Sequence, residues 1–258
     1  MPSNYAHHRF GNLAASELPE QLRLPVQRFR RLYDVGQHGP DLFFNYNIFF
    51  HTPIGNLGTT LHDQSGRVFF TRVCKRVRQD PSEAAIAYLF GLLGHYCLDS
   101  ICHPFIHEMT DEGEIGHVEL ETEFDRYLME LDGKTPAHKQ DFSRHMKLSR
   151  AECLTAAPFF PPCKWLNIWQ ASHNMALHAH LLATADHRLA EKVLSMAGKD
   201  ISQQLMPLEE NTHCSHLDAH LMELYGQALE RYPEMIRQLS DHLEKNAPLG
   251  EDFTPTFG

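Results

Sequence analysis

The sequence predicts an all-α fold, a single-domain helical bundle over residues 1–258. Three observations carry that prediction. Asp80-Pro81-Ser82-Glu83 is a helix start: Asp80 is placed to cap, Pro81 suits the first helical position, and Glu83 can close a capping box. Two long segments, 168–196 and 217–243, carry apolar residues at helical spacing. No linker-like stretch, internal repeat or low-complexity tract divides the chain.

A first helix is expected over 12–18, after a short lead. A second carries Leu24, Val26, Phe29, Leu32 and Val35. Gly36-Gln37-His38-Gly39-Pro40 is a turn. The aromatic run 42–50 has strand propensity, but in this helical chain a helix start or ordered loop is expected. The next helix runs from Gly55 through Val68, Phe69, Val73 and Val77. Ala84 to Leu93 is almost wholly apolar, which predicts a helix buried on all sides. Pro104 should end it at His103. Good helix formers fill 119–128. Short helical pieces are expected over 140–155, then an aromatic and proline-rich loop over 158–165. The last long helix should break at Pro233, and 248–258 reads as a loose tail.

Composition narrows the function classes. At 42% hydrophobic residues and mean hydropathy −0.39, this is an ordinary soluble globular composition. A formal charge of −10 argues against a general nucleic-acid or anionic-membrane surface. It leaves room for a local cationic centre that handles a phosphate. The stretch from Met1 to Phe10 holds no apolar signal core, so secretion by the usual route is not expected. Cys74, Cys97, Cys102, Cys153, Cys163 and Cys214 form no framework, which predicts reduced thiols and a cytoplasmic location. No apolar run reaches the ~18 residues of a membrane span.

Histidine is the anomaly, at 19 residues. His95 and Asp99 lie four apart on one face of the apolar helix, with His103 four further on. A buried carboxylate is costly unless paired or bound to metal. His117 and Glu121 repeat the pairing on the next helix. Singly, each is a satisfied core histidine or a solvated helix residue. Together, three imidazoles and two carboxylates match zinc, which takes such ligands at about 2.0–2.2 Å. Spacing alone leaves manganese or iron open.

Further residues join these in chain order. Tyr5-Ala6-His7 with Arg9-Phe10-Gly11, Gly39-Pro40-Asp41, and Leu57-Gly58 with Leu61-His62 precede His95, Asp99, His103, His117 and Glu121. The ordered set resembles the zinc-dependent phospholipase C family, whose fold is shared by the single-strand-specific zinc nucleases. It spans residues 5–128, about half the chain; each piece is weak alone and the combination is specific. The resemblance implies an all-α bundle with a metal cluster at the bottom of a cleft. It implies that Asp41, His62, His95 and Asp99 hold one zinc ion. Asp99 bridges to a second, shared with His7, and His103, His117 and Glu121 hold a third. Two features depart from the family. The secreted members use a mature N-terminal Trp as a ligand, whereas Met1-Pro2 stands here, which leaves the His7 site short of donors. The step from Asp99 to His103 is also shorter than in the secreted enzymes.

The implied function is a metal-dependent phosphoric ester hydrolase acting on a phosphodiester. Its cofactor is zinc, as two or three ions, or another divalent metal. Its substrate is a phosphate-ester small molecule or a phospholipid head group, with a nuclease-like substrate still open. Asp41 is the carboxylate nominated to orient or deprotonate water, or to serve as a ligand only. A phospholipase would need an apolar mouth, from Phe43, Phe44, Phe49, Phe50 and the 158–165 loop. Two other readings stand beside this one. A His-Asp type metal phosphohydrolase would use His62-Asp63 as its doublet. A non-catalytic metal-binding protein would keep the fold without the chemistry.

Overall fold

In the computed structural model, which describes residues 4–47, 50, 52–111, 113, 115–184, 186 and 202–258, the protein is all-α. Among the described residues the helices are α1 (Asn4–Glu17), α2 (Glu20–Arg28), α3 (Arg30–Gly36), α4 (Leu57–His62), α5 (Gly66–Gln79), α6 (Glu83–Thr110), α7 (His117–Leu131), α8 (Arg150–Ala156), α9 (Trp165–Thr184) and α10 (Asp218–Lys245). Short 3-10 helices join them, chiefly Gly39–Asn45. The strand propensity of the aromatic run yields to this 3-10 turn, which buries Leu42 and Phe43. Among the described residues, one isolated bridge of β type links Ser65 and Thr256.

Helix α6 is the axis, with α3 and α10 packed along it. Its start is two positions beyond the expected one: Ser82, not Asp80, is the cap, and its side chain accepts from Ala85 N at 3.1 Å. Seventeen of its residues are buried, from Ala85 to Ile106, as its apolar run predicts. By length and composition it could cross a membrane, but 83% of that window is buried inside the protein, as in a core helix. The tight α3–α6 crossing depends on glycines. A Cβ on Gly36 would lie 2.8 Å from the Tyr88 carbonyl, and one on Gly91 would overlap the Tyr33 carbonyl. Backbone cannot yield as a side-chain tip can. Gly91→Ala should therefore cost about 1–3 kcal/mol, read as a lower midpoint in chemical denaturation.

Several expectations are corrected. Helix α6 does not end at His103 but runs through Pro104 to Thr110. An internal proline costs about 3 kcal/mol, and burial of Cys102, His103 and Ile106 on either side outweighs it. Pro233 likewise sits inside α10 without breaking it. Helix α1 starts at Asn4 rather than near 12, because Asp125 of α7 caps it from across the fold. Tyr5 N and Ala6 N donate to that carboxylate at 2.9 and 2.8 Å. The expected helix over 24–35 is two, parted at Phe29, and the one over 55–77 is parted between His62 and Gly66. Of the segment 168–196, residues to 184 are helical, and 185 and 187–196 lie outside the described residues. Residues 248–258 are not loose. Leu249, Phe253 and Phe257, four apart, are buried to 6%, 0% and 0% exposure against the core.

Candidate metal centre

Eight side chains from five segments meet beside α6. Helix α1 brings His7, the 3-10 helix Asp41, and α4 His62. Helix α6 brings His95, Asp99 and His103, and α7 brings His117 and Glu121. They form three groups: His7, His95 and Asp99; Asp41, His62 and His95; and His103, His117 and Glu121. Within each group the candidate ligand atoms lie within 4.8 Å of one another. His95 belongs to two of them. Asp99 reaches His7 Nε2 from Oδ1 at 3.1 Å and His95 Nε2 from Oδ2 at 3.0 Å. His62 Nε2 lies 3.1 Å from Asp41 Oδ1. Glu121 Oε1 meets both His103 Nε2, at 3.3 Å, and His117 Nε2, at 3.2 Å.

Three of the imidazoles are oriented from behind. Nδ1 of His62 lies 2.8 Å from Gly58 O, that of His95 3.2 Å from Gln37 O, and that of His103 3.1 Å from Phe257 O. A carbonyl only accepts, so each Nδ1 carries a proton, and it is Nε2, bare whenever the ring is neutral, that faces the carboxylates. Two lone pairs about 3 Å apart repel unless a proton or a cation lies between them. At His95 the geometry favours the cation. Its Nε2 is enclosed, stands close to Asp99, and yet has no hydrogen-bond partner. The donor set and this orphaned nitrogen fit zinc. His7 differs, because its Nδ1 is buried without a partner. Gly39, at φ +45°, lets the chain pass the ring of His95, which a Cβ there would overlap.

Burial pushes carboxylates up and imidazoles down. Here pairing outweighs it. Asp41 is held at about 2 by the hydrogen bond from His62 and the charges of His95 and His62. Asp99 and Glu121 sit well below the usual carboxylate range, through the charges of His95 and His103 on one and the bonds from His103 and His117 on the other. His103 is lifted to about 9 by Asp99 and Glu121. His7 and His62 are raised by Asp99 and Asp41 respectively. His95 alone of this set is lowered, by its burial.

Other expectations change. Asp63 is exposed and belongs to none of the three groups, which removes the His62-Asp63 doublet. All six cysteines are free, and none belongs to a group. Phe43 is buried in the core, and Phe159 and Phe160 of the 158–165 loop are buried too, so they pack rather than line a mouth. Phe44 and Phe50 are exposed, and Phe44 lies with its ring 5.4 Å from that of His62. Phe49 lies outside the described residues. Sequence reasoning missed Asp125. Burial raises its carboxyl to about 7, against the pull of the Tyr5 and Ala6 N–H groups. Its place four residues after Glu121 was the available signal.

A family model described as zinc dependent phospholipase C matches residues 6–157, more than half of the chain and inclusive of all eight side chains. No curated protein and no solved structure matches.

Proposed function

The chain belongs to the zinc-dependent phospholipase C family, and from that premise we propose that it hydrolyses a phosphodiester with zinc as cofactor. The observation that supports this most is the set of imidazoles facing carboxylates in three groups, with His62, His95 and His103 each backed by a carbonyl. His7, His95 and Asp99 would hold one ion, Asp41, His62 and His95 another, and His103, His117 and Glu121 a third. Zinc bound there supplies polarisation of a phosphoryl oxygen and acidification of water.

The chain's own residues do the rest. Asp99 and Glu121 supply the negative charge that lets cations gather in a buried place. Gly58, Gln37 and Phe257 fix the rings, so the donor atoms need no rearrangement. A general base works best with a pKa near the operating pH. Held at about 2, Asp41 is a poor proton acceptor. Its roles are ligand and acceptor that orients water, not base. Phe44, exposed beside His62, is the described apolar side chain placed to meet a lipid or organic ester. The substrate we favour is a phospholipid head group or a small phosphodiester, in a reducing compartment that suits six free thiols.

Elemental analysis of the purified protein, with assays on a nitrophenyl phosphodiester and on phosphatidylcholine, tests this. We expect two or three zinc ions per chain and hydrolysis that chelation abolishes and zinc restores. A zinc-loaded protein inert on both substrates would favour a binding protein that keeps the fold.

A further inference from the structure

We infer that residues 253–257 act as a strap that positions His103, so that zinc at the His103–His117–Glu121 group depends on a segment beyond the family-matched region. This rests on the zinc reading of that group. The strap is held at several points. Gly66 N donates to Pro255 O at 2.9 Å, and the Tyr96 hydroxyl donates to Asp252 O and Pro255 O at 2.9 and 3.0 Å. Phe253 and Phe257 pack around Tyr96, with ring centroids 6.0 and 4.9 Å away. Phe257 then touches two groups at once. Its N–H donates to His62 O at 3.1 Å, and its carbonyl accepts from His103 Nδ1 at 3.1 Å. The ring of Phe257 also lies against those of His62 and His95.

The carbonyls behind His62 and His95 come from segments close to the site, Gly58 and Gln37. The one behind His103 comes from 154 positions away. A carbonyl acceptor fixes the tautomer and the ring plane of a ligating histidine, and losing such a partner costs roughly 10–100-fold in metal affinity. His103 and His117 both point at one oxygen, Glu121 Oε1, so an unfixed His103 ring leaves that group with two oriented donors.

The test is zinc titration against a chromophoric chelator, with elemental analysis and the melting of the metal-free chain. Truncation after Thr256 removes the carbonyl, whereas Phe257→Leu keeps both the carbonyl and apolar bulk. The truncated chain should lose roughly 10–100-fold in affinity for one ion. That ion should be the one His117→Ala loses, and the combined variant should lose no other. Phe257→Leu should retain wild-type affinity at that ion. A tail that only stabilises the fold would lower the melting temperature and leave every ion in place, which would overturn the inference. If the truncated chain does not fold, Tyr96→Phe decides: it loosens the strap without touching a ligand. Weaker binding of the same ion supports the strap, and unchanged binding overturns it. A wild-type chain that takes up no zinc would instead overturn the zinc reading on which the strap rests.

Discussion

Asp99→Asn should strip at least one zinc ion from the protein and lower phosphodiester hydrolysis by more than ~100-fold, the upper end of what loss of an outer partner costs and hence a floor for a ligand. The reason is geometric. Asp99 is 4% exposed and offers one oxygen to His7 and the other to His95. Asparagine has nearly the same shape, no charge, and an amide that can donate to the bare Nε2 of His95. That N–H would occupy the lone pair a cation needs. The fold should survive, because the amide satisfies a nitrogen that otherwise has no partner. Circular dichroism should stay native while elemental analysis shows the loss. Asp63→Asn is the matching control: Asp63 is exposed outside the groups, so activity and zinc should not change. Unchanged zinc content in Asp99→Asn would sink the assignment.

The helix pairs were legible because both members lie on one element. His95 with Asp99, and His117 with Glu121, follow from a spacing of four and a buried helix. His7, Asp41 and His62 sit on separate short elements, and nothing local says that they converge. Only the resemblance to a known family reached them. The starts and stops of helices failed wherever the deciding group was distant. The cap of α1 is Asp125, some 120 positions away, and no pattern around Asn4 announces it. Pro104 and Pro233 are strong local breakers, but each lies on a helix with a buried face long enough to override the missing hydrogen bond. The segment 248–258 looked loose because its composition is rich in Pro, Gly and acid. Its informative feature was a four-residue repeat, Leu249, Phe253 and Phe257, which is the one that docks.

The stabilisation that zinc confers should grow as pH rises from about 6 to 8.5. The sign follows from His103, lifted to about 9, together with the raised His7 and His62. In the metal-free chain His103, lifted to about 9, carries a proton at neutral pH beside Asp99 and Glu121, and Asp99 and Asp41 make His7 and His62 hold a proton more firmly than a free imidazole does. Zinc binds only neutral imidazole, so loading must expel those protons. With one proton released per ion, affinity rises about tenfold per pH unit, or about 1.4 kcal/mol. The metal-free chain moves the opposite way. A raised pKa contributes stability that is fully present below the unfolded value of 6.5 and is lost as pH climbs through about 9. Asp41, held at about 2, contributes stability that is lost only as pH falls from 3.8 towards 2, outside this window. Both trends therefore widen the gap in melting temperature between loaded and stripped protein. Scanning calorimetry of the two forms at several pH values measures the gap. Isothermal titration in two buffers of different ionisation enthalpy counts the protons released. A gap that narrows with pH, or titration heats that ignore the buffer, would mean that these histidines are neutral before metal arrives and that the ion pairs in the stripped site are misassigned.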